Sequence, residues 1–440
     1  MQQATASVVR DHGENSDASS GRHVAILSSS FWPEPIASGA TATEFGVFLR
    51  HAGLRVKVAT AMPFYPQWEI WPGYRRRLWI RENYAGIEIV RTWHLVRPRV
   101  STASRVLQEL TMCVCSVPGL LSVLRGAGAA FIFTPSLGFA FAGAVLARLM
   151  RVPYVAVVKD VLPDAAIELG MLSSPFMIAM SEWMARKLYA WSEEIHTLGE
   201  GMRRRIARLA GTAARIQLVP DTVDGQELYP VEREHNQFRK RFVPDGVLAV
   251  LHTGNMGRKQ GLDLILRTAA IVQDDPTIRF YVFGDGAVRE EFLRQRDAQG
   301  LGNVSHFPLQ ERQMLKHMLS GADIVLVSQR REVIDIVVPS KLLTAMAAGA
   351  MIVGACSKGS EMEQILSESG GGIVIPAEDE QALATVIRQQ RTGQIDSTGY
   401  RRRARAFALR HFDRQAVYGP VAAALQRRLG GDGNDAPRNS

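Results

Sequence analysis

The sequence predicts an α/β protein in which two doubly wound parallel sheets follow one another along the chain. Short, continuous apolar runs such as His23–Leu27 are typical of strands that are buried on both faces of a parallel sheet. Helical segments alternate with these runs, which favours strand–helix–strand units. The alternation begins again after the polar stretch 220–247, so two sheets are predicted.

The predicted organisation has five parts. We expect a disordered polar tail at 1–21, a first Rossmann-like domain at 22–222 and a second at 223–410. A helix at 411–429 is expected to pack back on the first domain, and a second disordered tail to follow at 430–440. Ligands of such sheets bind at the carboxyl ends of the strands, which places the predicted site in the cleft between the domains.

The first half alternates strands and helices throughout. Its predicted strands are His23–Leu27, Arg55–Ala59, Ile87–Thr92, Ala130–Phe133, Tyr154–Val158, Glu194–Thr197 and Ile216–Val219. Its predicted helices are Ala40–His51, Arg105–Leu124, Leu137–Met150, Pro175–Trp191 and Gly199–Leu209.

The second half repeats the pattern. Its predicted strands are Leu248–His252, Ile278–Phe283, Val304–Phe307, Ile324–Val327, Met351–Ala355 and Gly372–Ile375. Its predicted helices are Leu262–Gln273, one that begins at Val288, Ala345–Ala348 and the final helix Arg414–Leu429.

The uncharged stretch 126–147 is long enough to be tested as a transmembrane helix. Its glycines and Pro135 favour a strand, a turn at Thr134–Ser136 and a helix from Leu137 instead. The polar first 22 residues show no apolar core of a signal peptide.

Composition excludes several classes of protein. Apolar residues make up 46% and charged residues 22%, which is globular composition and excludes a wholly disordered chain or a collagen. Cys113, Cys115 and Cys356 form no Cys-x-x-Cys pair, so a reducing compartment is favoured over a disulfide framework or a zinc site. The net charge of +9 suits an anionic partner: a nucleic acid, a phosphorylated ligand or an acidic membrane.

Three loops at predicted strand ends suit a phosphate or a sugar. Ser28–Ala40 brings small residues, among them Gly39, to a helix N-terminus. Thr253–Gly261 contains Gly254 and Asn255, and its Arg258 and Lys259 could neutralise a diphosphate. The turn Gly284-Asp285-Gly286 could flank a nucleotide base, although the pattern is weak by itself.

Two further segments offer charged side chains. Pro339 and Ser340 mark a helix start that places Ser340 and Lys341 at a phosphate-suited terminus, with Asp335 just upstream. Lys159 and Asp160 follow the strand Tyr154–Val158 and are candidates for acceptor binding or proton transfer. An ordinary capped helix and a surface ion pair are the alternatives for these two segments.

Basic and aromatic residues cluster between Trp68 and Arg105, ahead of the apolar segment Leu107–Leu124. This combination fits a protein that lies on an anionic membrane, and it equally fits a solvated face with aromatic side chains packed inward. The cluster comprises Trp68, Trp71, Tyr74, Arg75, Arg76, Arg77, Trp79, Arg91, Trp93, Arg97, Arg99 and Arg105.

Some motifs do not occur. There is no Asp-x-Asp, His-Glu-x-x-His, Walker A or Gly-x-Ser-x-Gly sequence. We therefore expect no dedicated metal ion and no acyl-transfer serine.

Taken together, these segments resemble the retaining GT-B glycosyltransferases of family 4 from His23 to about Leu429. The segments that carry the resemblance are Phe31–Glu34 with Gly39, Lys159–Asp164, Val219–Asp224, Gly254–Gly261, Phe283–Gly286 and Val338–Gly349. The sequences Gly-Asn-Met-Gly-Arg-Lys-Gln-Gly, Val-Pro-Ser-Lys and Gly73–Trp79 look closest to the branch that builds bacterial exopolysaccharides of the colanic-acid type.

The resemblance implies two Rossmann-like domains and transfer of a sugar from a UDP- or GDP-sugar, with retention, to a saccharide acceptor. It implies that Arg258 and Lys259 hold the diphosphate, with help from Ser340 and Lys341. Gly39 would then let the donor phosphate approach the first domain. No cofactor beyond the donor is implied, and a lipid-linked acceptor at the inner face of the cell membrane fits this branch of the family.

The chain departs from the family pattern at four positions. Thr344 and Ile336 stand where many members have glutamates, and we expect Asp335 to take part of the lost role, with Thr344 at the donor. Lys159 stands where many have a histidine, and Gln260 where many have a lysine.

Other functions remain open at this point. A nucleotide-sugar epimerase shares the two-domain build, but the loops of the predicted cleft are poor in histidine. A nicotinamide oxidoreductase would need a Gly-x-Gly-x-x-Gly sequence with an acidic residue about 20 positions later, which neither glycine loop supplies. A nucleic-acid-binding protein would show affinity that falls steeply with salt, and no nucleic-acid partner is expected.

Overall fold

The computed structural model describes residues 22–34, 37–98, 102–160, 174–211, 215–333 and 339–430. It contains an eight-stranded and a six-stranded sheet, one in each half of the chain. The prediction of two tandem Rossmann-like sheets is therefore confirmed.

The first lobe is built on the eight-stranded sheet. In chain order its elements are β1 (His23–Leu27), α1 (Ala37–His51), β2 (Val56–Ala61), β3 (Trp79–Tyr84), β4 (Ile87–Thr92), α2 (Thr102–Cys115), α3 (Val117–Leu124), β5 (Ala127–Phe133), α4 (Leu137–Leu149), β6 (Tyr154–Val158), α5 (Pro175–Trp191), β7 (Glu194–Thr197), α6 (Glu200–Ala210) and β8 (Ile216–Leu218). The strands lie in the order β3-β4-β2-β1-β5-β6-β7-β8, and the chain changes direction across the sheet between β1 and β5.

The second lobe is built on the six-stranded sheet. Its elements are α7 (Gln237–Phe242), β9 (Leu248–Thr253), α8 (Asp263–Ile271), β10 (Ile278–Phe283), α9 (Arg289–Ala298), β11 (Val304–Phe307), α10 (Arg312–Gly321), β12 (Ile324–Ser328), α11 (Ser340–Ala347), β13 (Ile352–Cys356), α12 (Glu361–Ser369), β14 (Gly372–Pro376), α13 (Glu380–Arg391) and α14 (Ser397–His411), and the final helix α15 (Arg414–Gly430) follows them. The strand order is β11-β10-β9-β12-β13-β14, with the change of direction between β9 and β12.

Helices cover both faces of each sheet, because the strands are apolar on both sides. The inner strands β1 and β12 are buried along their whole length. The final helix α15 contributes Tyr418, Ala422 and Leu425 to the core of the first lobe. The chain thus crosses from the first lobe to the second and returns at its end.

The two crossings run beside each other. Val223, on the way out, forms a parallel bridge with Asp413, on the way back. The Val223 amide donates to the Phe412 carbonyl at 2.8 Å, and the Arg414 amide donates to the Val223 carbonyl at 3.1 Å. Arg414 also bonds to Glu44 of the first lobe and to Asp224.

Two expectations for the first lobe need correction. The segment predicted as the single helix Arg105–Leu124 is two helices, α2 and α3, which break at Ser116 because Pro118 lies in the first turn of α3. The strand β3 was not predicted. It pairs antiparallel with β4 through a two-residue turn in which Ala85 and Gly86 have φ of 51° and 75°.

The stretch 126–147 divides, as expected, into a strand, a turn and a helix. Within the described ranges, no single helix combines the length and the apolar character that a membrane span needs. The bent pair Ser104–Cys115 and Val117–Leu124, which meet at 43°, passes that test of length and composition together.

Candidate active site

The loop after β9 forms one wall of the candidate site. Thr253 ends the strand, and Arg258–Gln260 form a single 3-10 turn that ends at Gly261 in the left-handed conformation, with φ of 58°. The side chains of Arg258 and Lys259 are exposed on this turn. The loop lies where the second sheet changes direction, which is the place where open α/β sheets bind ligands.

Glycines let this loop pack directly on the turn after β10. A side chain on Gly284 would collide with the carbonyl oxygen of Gly254, so the two backbones can touch only where position 284 has no side chain. At Gly286 a Cβ would lie 2.6 Å from Asn255 Oδ1 and 2.6 Å from the Met256 carbonyl oxygen. The Met256 amide donates to the Asp285 carbonyl at 2.8 Å, which fixes the two turns to each other.

Residues that follow β12 form hydrogen bonds to the loop after β9. Ser328 Oγ donates to the Gln260 carbonyl at 2.7 Å, and Arg330 Nε donates to the Arg258 carbonyl at 3.1 Å. The Arg330 guanidinium continues to Asp263 at 3.1 Å and to Glu378 at 3.0 Å. The loop that carries Arg258 and Lys259 is therefore held in one shape.

The N-terminus of α11 forms another part of the candidate site. Pro339 precedes the helix, Ser340 is exposed at its first position, and Lys341 reaches back toward the loop. Lys341 Nζ donates to the Asn255 carbonyl at 2.9 Å and to His252 Nε2 at 3.1 Å. The Thr344 hydroxyl donates to the Lys341 carbonyl at 3.1 Å.

The structure thus brings most of the predicted donor-binding residues to one edge of the second sheet. They are Gly254, Asn255, Arg258, Lys259, Gly284, Gly286, Ser340, Lys341 and Thr344. Asp335, with Val337 and Val338, lies outside the described residues.

Charged residues of the first lobe face this edge from the end of β6. Lys159 Nζ forms an ion pair with Asp221 Oδ1 at 2.7 Å. Burial raises the pKa of the Asp160 carboxyl, Asp221 raises it further, and Lys159 and Lys259 lower it. Because Lys259 of the other lobe lowers the pKa of Asp160, these two predicted residues lie within electrostatic range of each other across the cleft.

Gly39 lies in the first turn of α1. A Cβ there would lie 3.0 Å from Ser30 Cβ, so the glycine lets the loop after β1 rest on the helix. In the same loop, Glu34 is buried and accepts from the amides of Phe64 and Tyr65, each at 2.8 Å. Approach of a donor phosphate at Gly39 stays a prediction.

One member of the basic and aromatic cluster does not lie on a surface. Arg91 is fully buried, where it bonds to Glu82, to the Trp32 carbonyl and, at 3.2 Å, to the Ala61 carbonyl. It holds β4 to the neighbouring strands and cannot meet a membrane. Arg105 instead stacks on the Trp68 ring, 3.8 Å from its centroid.

Sequence reasoning missed His252, Ser328 and Arg330. His252 lies in an apolar strand, and nothing in the neighbouring sequence indicates its contact with Lys341. Ser328 and Arg330 follow β12, so their place at a strand end was the available signal. In the described ranges, no group of three histidine, cysteine, aspartate or glutamate side chains could hold a metal ion.

Two protein-family models match the chain. The model described as "Glycosyl transferase 4-like domain" matches residues 38–222, and the one described as "Glycosyl transferases group 1" matches residues 248–390. Together they take in most of both sheets, including the loop after β9 and the N-terminus of α11.

Among known proteins, the chain is 27% identical over 374 residues to WcaI of Escherichia coli strain K12, which is named for a glycosyl transferase role in colanic acid biosynthesis. That match covers 83% of this chain and 91% of the relative.

Solved structures share the fold at low identity. Sucrose-phosphate synthase from Thermosynechococcus elongatus superimposes with a TM-score of 0.66 at 14% identity, over 93% of this chain and 100% of that one. The Anabaena protein HepE, solved in complex with UDP, superimposes with a TM-score of 0.64 at 14% identity, over 92% of this chain and 99% of that one. The chain belongs to the family 4 glycosyltransferases of the GT-B fold, enzymes that take a sugar from a nucleotide-sugar donor.

Proposed function

We propose that this glycosyltransferase moves a sugar from a UDP-sugar or a GDP-sugar, with retention and without a metal ion, to a lipid-linked saccharide in exopolysaccharide biosynthesis. The enzyme would work at the cytoplasmic face of the cell membrane. Since the matched family models are glycosyltransferase models, the epimerase alternative is not favoured.

One observation carries the proposal for the donor. Two glycine turns and the N-terminus of α11 meet at one strand edge, with Arg258, Lys259 and Lys341 around them. Backbone amides at a helix start and nearby cations are what an anionic diphosphate needs. In the absence of a metal ion, these cations would stabilise the charge that develops on the leaving diphosphate.

The first lobe would hold the acceptor opposite Lys259. Asp160 has a raised pKa and lies within electrostatic reach of Lys259, so it can bind an acceptor hydroxyl next to the reacting sugar. The resemblance to family 4 implies that an oxygen of the departing diphosphate takes the proton of that hydroxyl, which gives retention. Asp160 and Lys159 would then orient the hydroxyl and balance the charge of the cleft.

An exposed apolar patch on the first lobe supports the membrane part of the proposal. We define the patch as Leu78, Trp79, Leu107, Leu110, Val114 and Leu121, all of them exposed. A cavity of about 420 Å³ lies between the β3 hairpin and the junction of α2 and α3. Its lining includes Leu78, Trp79, Cys115 and Pro118. Arg76 and Arg77 lie exposed beside it, so the patch combines apolar and cationic contacts that suit anionic lipid.

The donor is tested by thermal unfolding with UDP, GDP, their sugars, NAD and short nucleic acids. A ligand at 100 times its dissociation constant should stabilise the protein by about 2.7 kcal/mol. We expect this shift with UDP or GDP and its loss in Lys259→Ala. A shift with NAD alone would contradict the proposal.

The stereochemistry is tested by slow hydrolysis of the donor in the absence of an acceptor. The proton NMR spectrum of the released sugar should first show the anomer of the donor. Initial release of the opposite anomer would exclude retention.

The membrane contact is tested by flotation with vesicles of neutral lipid and of neutral lipid mixed with an anionic one. We expect binding to the anionic vesicles only, and its loss when Leu110 and Val114 are both changed to Glu. Leu309→Glu, at an exposed leucine of the second lobe, is the matched control. Equal flotation with both lipids would remove the membrane from the proposal.

A further inference from the structure

A buried histidine contacts the lysine of the donor site. His252, near the end of β9, is 1% exposed, and its Nε2 atom lies 3.1 Å from Lys341 Nζ on α11. Burial and the adjacent Lys341 lower the pKa of this imidazole well below its ordinary value. The ring therefore stays neutral, and a neutral imidazole nitrogen can accept a hydrogen bond from an ammonium group.

The end of the lysine side chain is held in place. Gly254, with φ of 106°, has no side chain, and a Cβ there would lie 2.9 Å from Lys341 Cε. The amine donates to His252 and to the Asn255 carbonyl, which uses two of its three N–H groups. The described residues supply these two partners, so the third N–H group can serve a ligand at the glycine turns.

The donor loop lacks a cation where the family resemblance places one. Gln260 occupies that position, and its Oε1 atom is buried without a hydrogen-bond partner among the described residues. The carboxamide lies over Gly257, where a Cβ would be 2.6 Å from Oε1. The side chain at position 260 therefore supplies no positive charge to the diphosphate.

We propose that Lys341 binds the donor diphosphate in place of the missing cation, and that His252 is the positioning residue that directs its amine to the glycine turns. This inference rests on the proposed donor site, which already includes Lys341, and adds His252 as the residue that orients its amine. The amine binds and does not react, so no bond is made or broken at Lys341.

Binding of the diphosphate by Lys341 should depend on pH. Burial lowers the pKa of the Lys341 amine to about 8. Of the described residues, His252 is the titratable side chain in hydrogen-bond contact with this amine. A bound diphosphate favours the charged amine, so its affinity should fall above pH 8 by up to about tenfold per pH unit.

The experiment measures UDP or GDP, whichever gives the larger thermal shift, by titration calorimetry from pH 7.5 to 8.8, below the pKa of the nucleobase. Over this range the terminal phosphate is fully charged, because its second pKa is about 6. The wild-type affinity should fall as pH rises. Lys341→Arg should bind without this pH dependence, and Lys341→Met should bind about 10- to 100-fold more weakly at pH 7.5, also without it.

Two substitutions of the histidine separate positioning from packing. His252→Gln, whose amide oxygen can accept from the amine, should keep affinity within a few-fold of the wild type. His252→Leu should lose about tenfold and begin to lose affinity at a lower pH, since the amine is then less solvated. Lys316→Met removes an amine that contacts Tyr229 on the outer surface and is the matched control for charge.

The outcomes distinguish this inference from the proposed function. If the wild type binds neither UDP nor GDP, the donor proposal fails. If the wild type binds one of them and Lys341→Met keeps both its affinity and its pH dependence, the role of Lys341 is wrong and the donor site stands. If His252→Leu fails to fold, the comparison of Lys341→Arg with Lys341→Met still tests whether Lys341 binds the diphosphate.

Discussion

Lys159 Nζ lies 2.7 Å from Asp221 Oδ1, and this ion pair joins the end of β6 to the segment through which the chain leaves the first sheet. The pKa of Asp160, the next residue, is raised by Asp221 and lowered by Lys159. Three charged residues therefore interact at this end of the first lobe.

The first prediction concerns the pH dependence of activity. Lys159 favours the charged form of Asp160 and lowers its pKa, so Lys159→Met should raise that pKa further. If the carboxylate is the active form, kcat/KM falls as pH drops through this pKa, and the acid limb of the profile should move to higher pH. Asp160→Asn should remove the limb and lower kcat/KM by about 100-fold or more. Lys187→Met, on the exposed face of α5, is the control, and an acid limb that stays in place in Lys159→Met would refute the coupling.

The second prediction concerns the contact between the two glycine turns. Gly284→Ala forces a Cβ onto the Gly254 carbonyl, which we expect to cost about 1–3 kcal/mol of unfolding free energy and to weaken binding of UDP or GDP. Gly302→Ala is the matched control, because nothing lies within 4 Å of a Cβ there. Denaturant unfolding and calorimetry measure the two effects. Equal stability of the two variants would show that the turns can separate at no cost.

The third prediction separates support of the donor loop from chemistry. Arg330→Met removes the bonds to Arg258, Asp263 and Glu378. We expect the KM for the donor to rise about tenfold while kcat changes less, since the loop loses its shape before donor binding and the bound donor restores it. Arg331→Met, at the exposed neighbour, should behave as the wild type. A loss confined to kcat would place Arg330 in the chemical step instead.

The fourth prediction tests the buried arginine. Arg91→Met leaves Glu82 and two backbone carbonyls without their partner, and breaking such a buried pair costs about 3–5 kcal/mol. The thermal shift that UDP or GDP produces should stay the same at temperatures where the variant is folded. Arg77→Met, from the exposed part of the cluster, should leave stability within about 0.5 kcal/mol. Unchanged stability of Arg91→Met would mean that the strands do not depend on this contact.

The sequence alone predicted the two sheets and most of the strands that position the site. Ile278–Phe283 and Tyr154–Val158, for example, are found as predicted, because a continuous apolar run between turn residues identifies a buried strand locally. The helix start at Ser340 was equally visible from the proline before it.

What the sequence did not predict depends on partners far away along the chain. His252 and Lys341 are 89 residues apart, and only the folded sheet shows that their side chains touch. Arg91 looked like one more cation of an exposed cluster, since its partner Trp32 lies 59 residues away. The hairpin strand β3 has alternating exposed residues, a pattern that is hard to separate from a polar loop.

The bridge between Val223 and Asp413 limits how the enzyme can open. Since the outgoing and returning segments are bonded side by side, sliding or shearing of one lobe past the other would break backbone bonds, whereas rotation about this narrow ribbon would not. We therefore expect rotation about this ribbon to admit a donor and release its nucleoside diphosphate, with loss of the bond from the Gly201 amide to Glu361 of the second lobe. A covalent cross-link between the two lobes across the cleft would therefore stop turnover. The second lobe could still bind a donor.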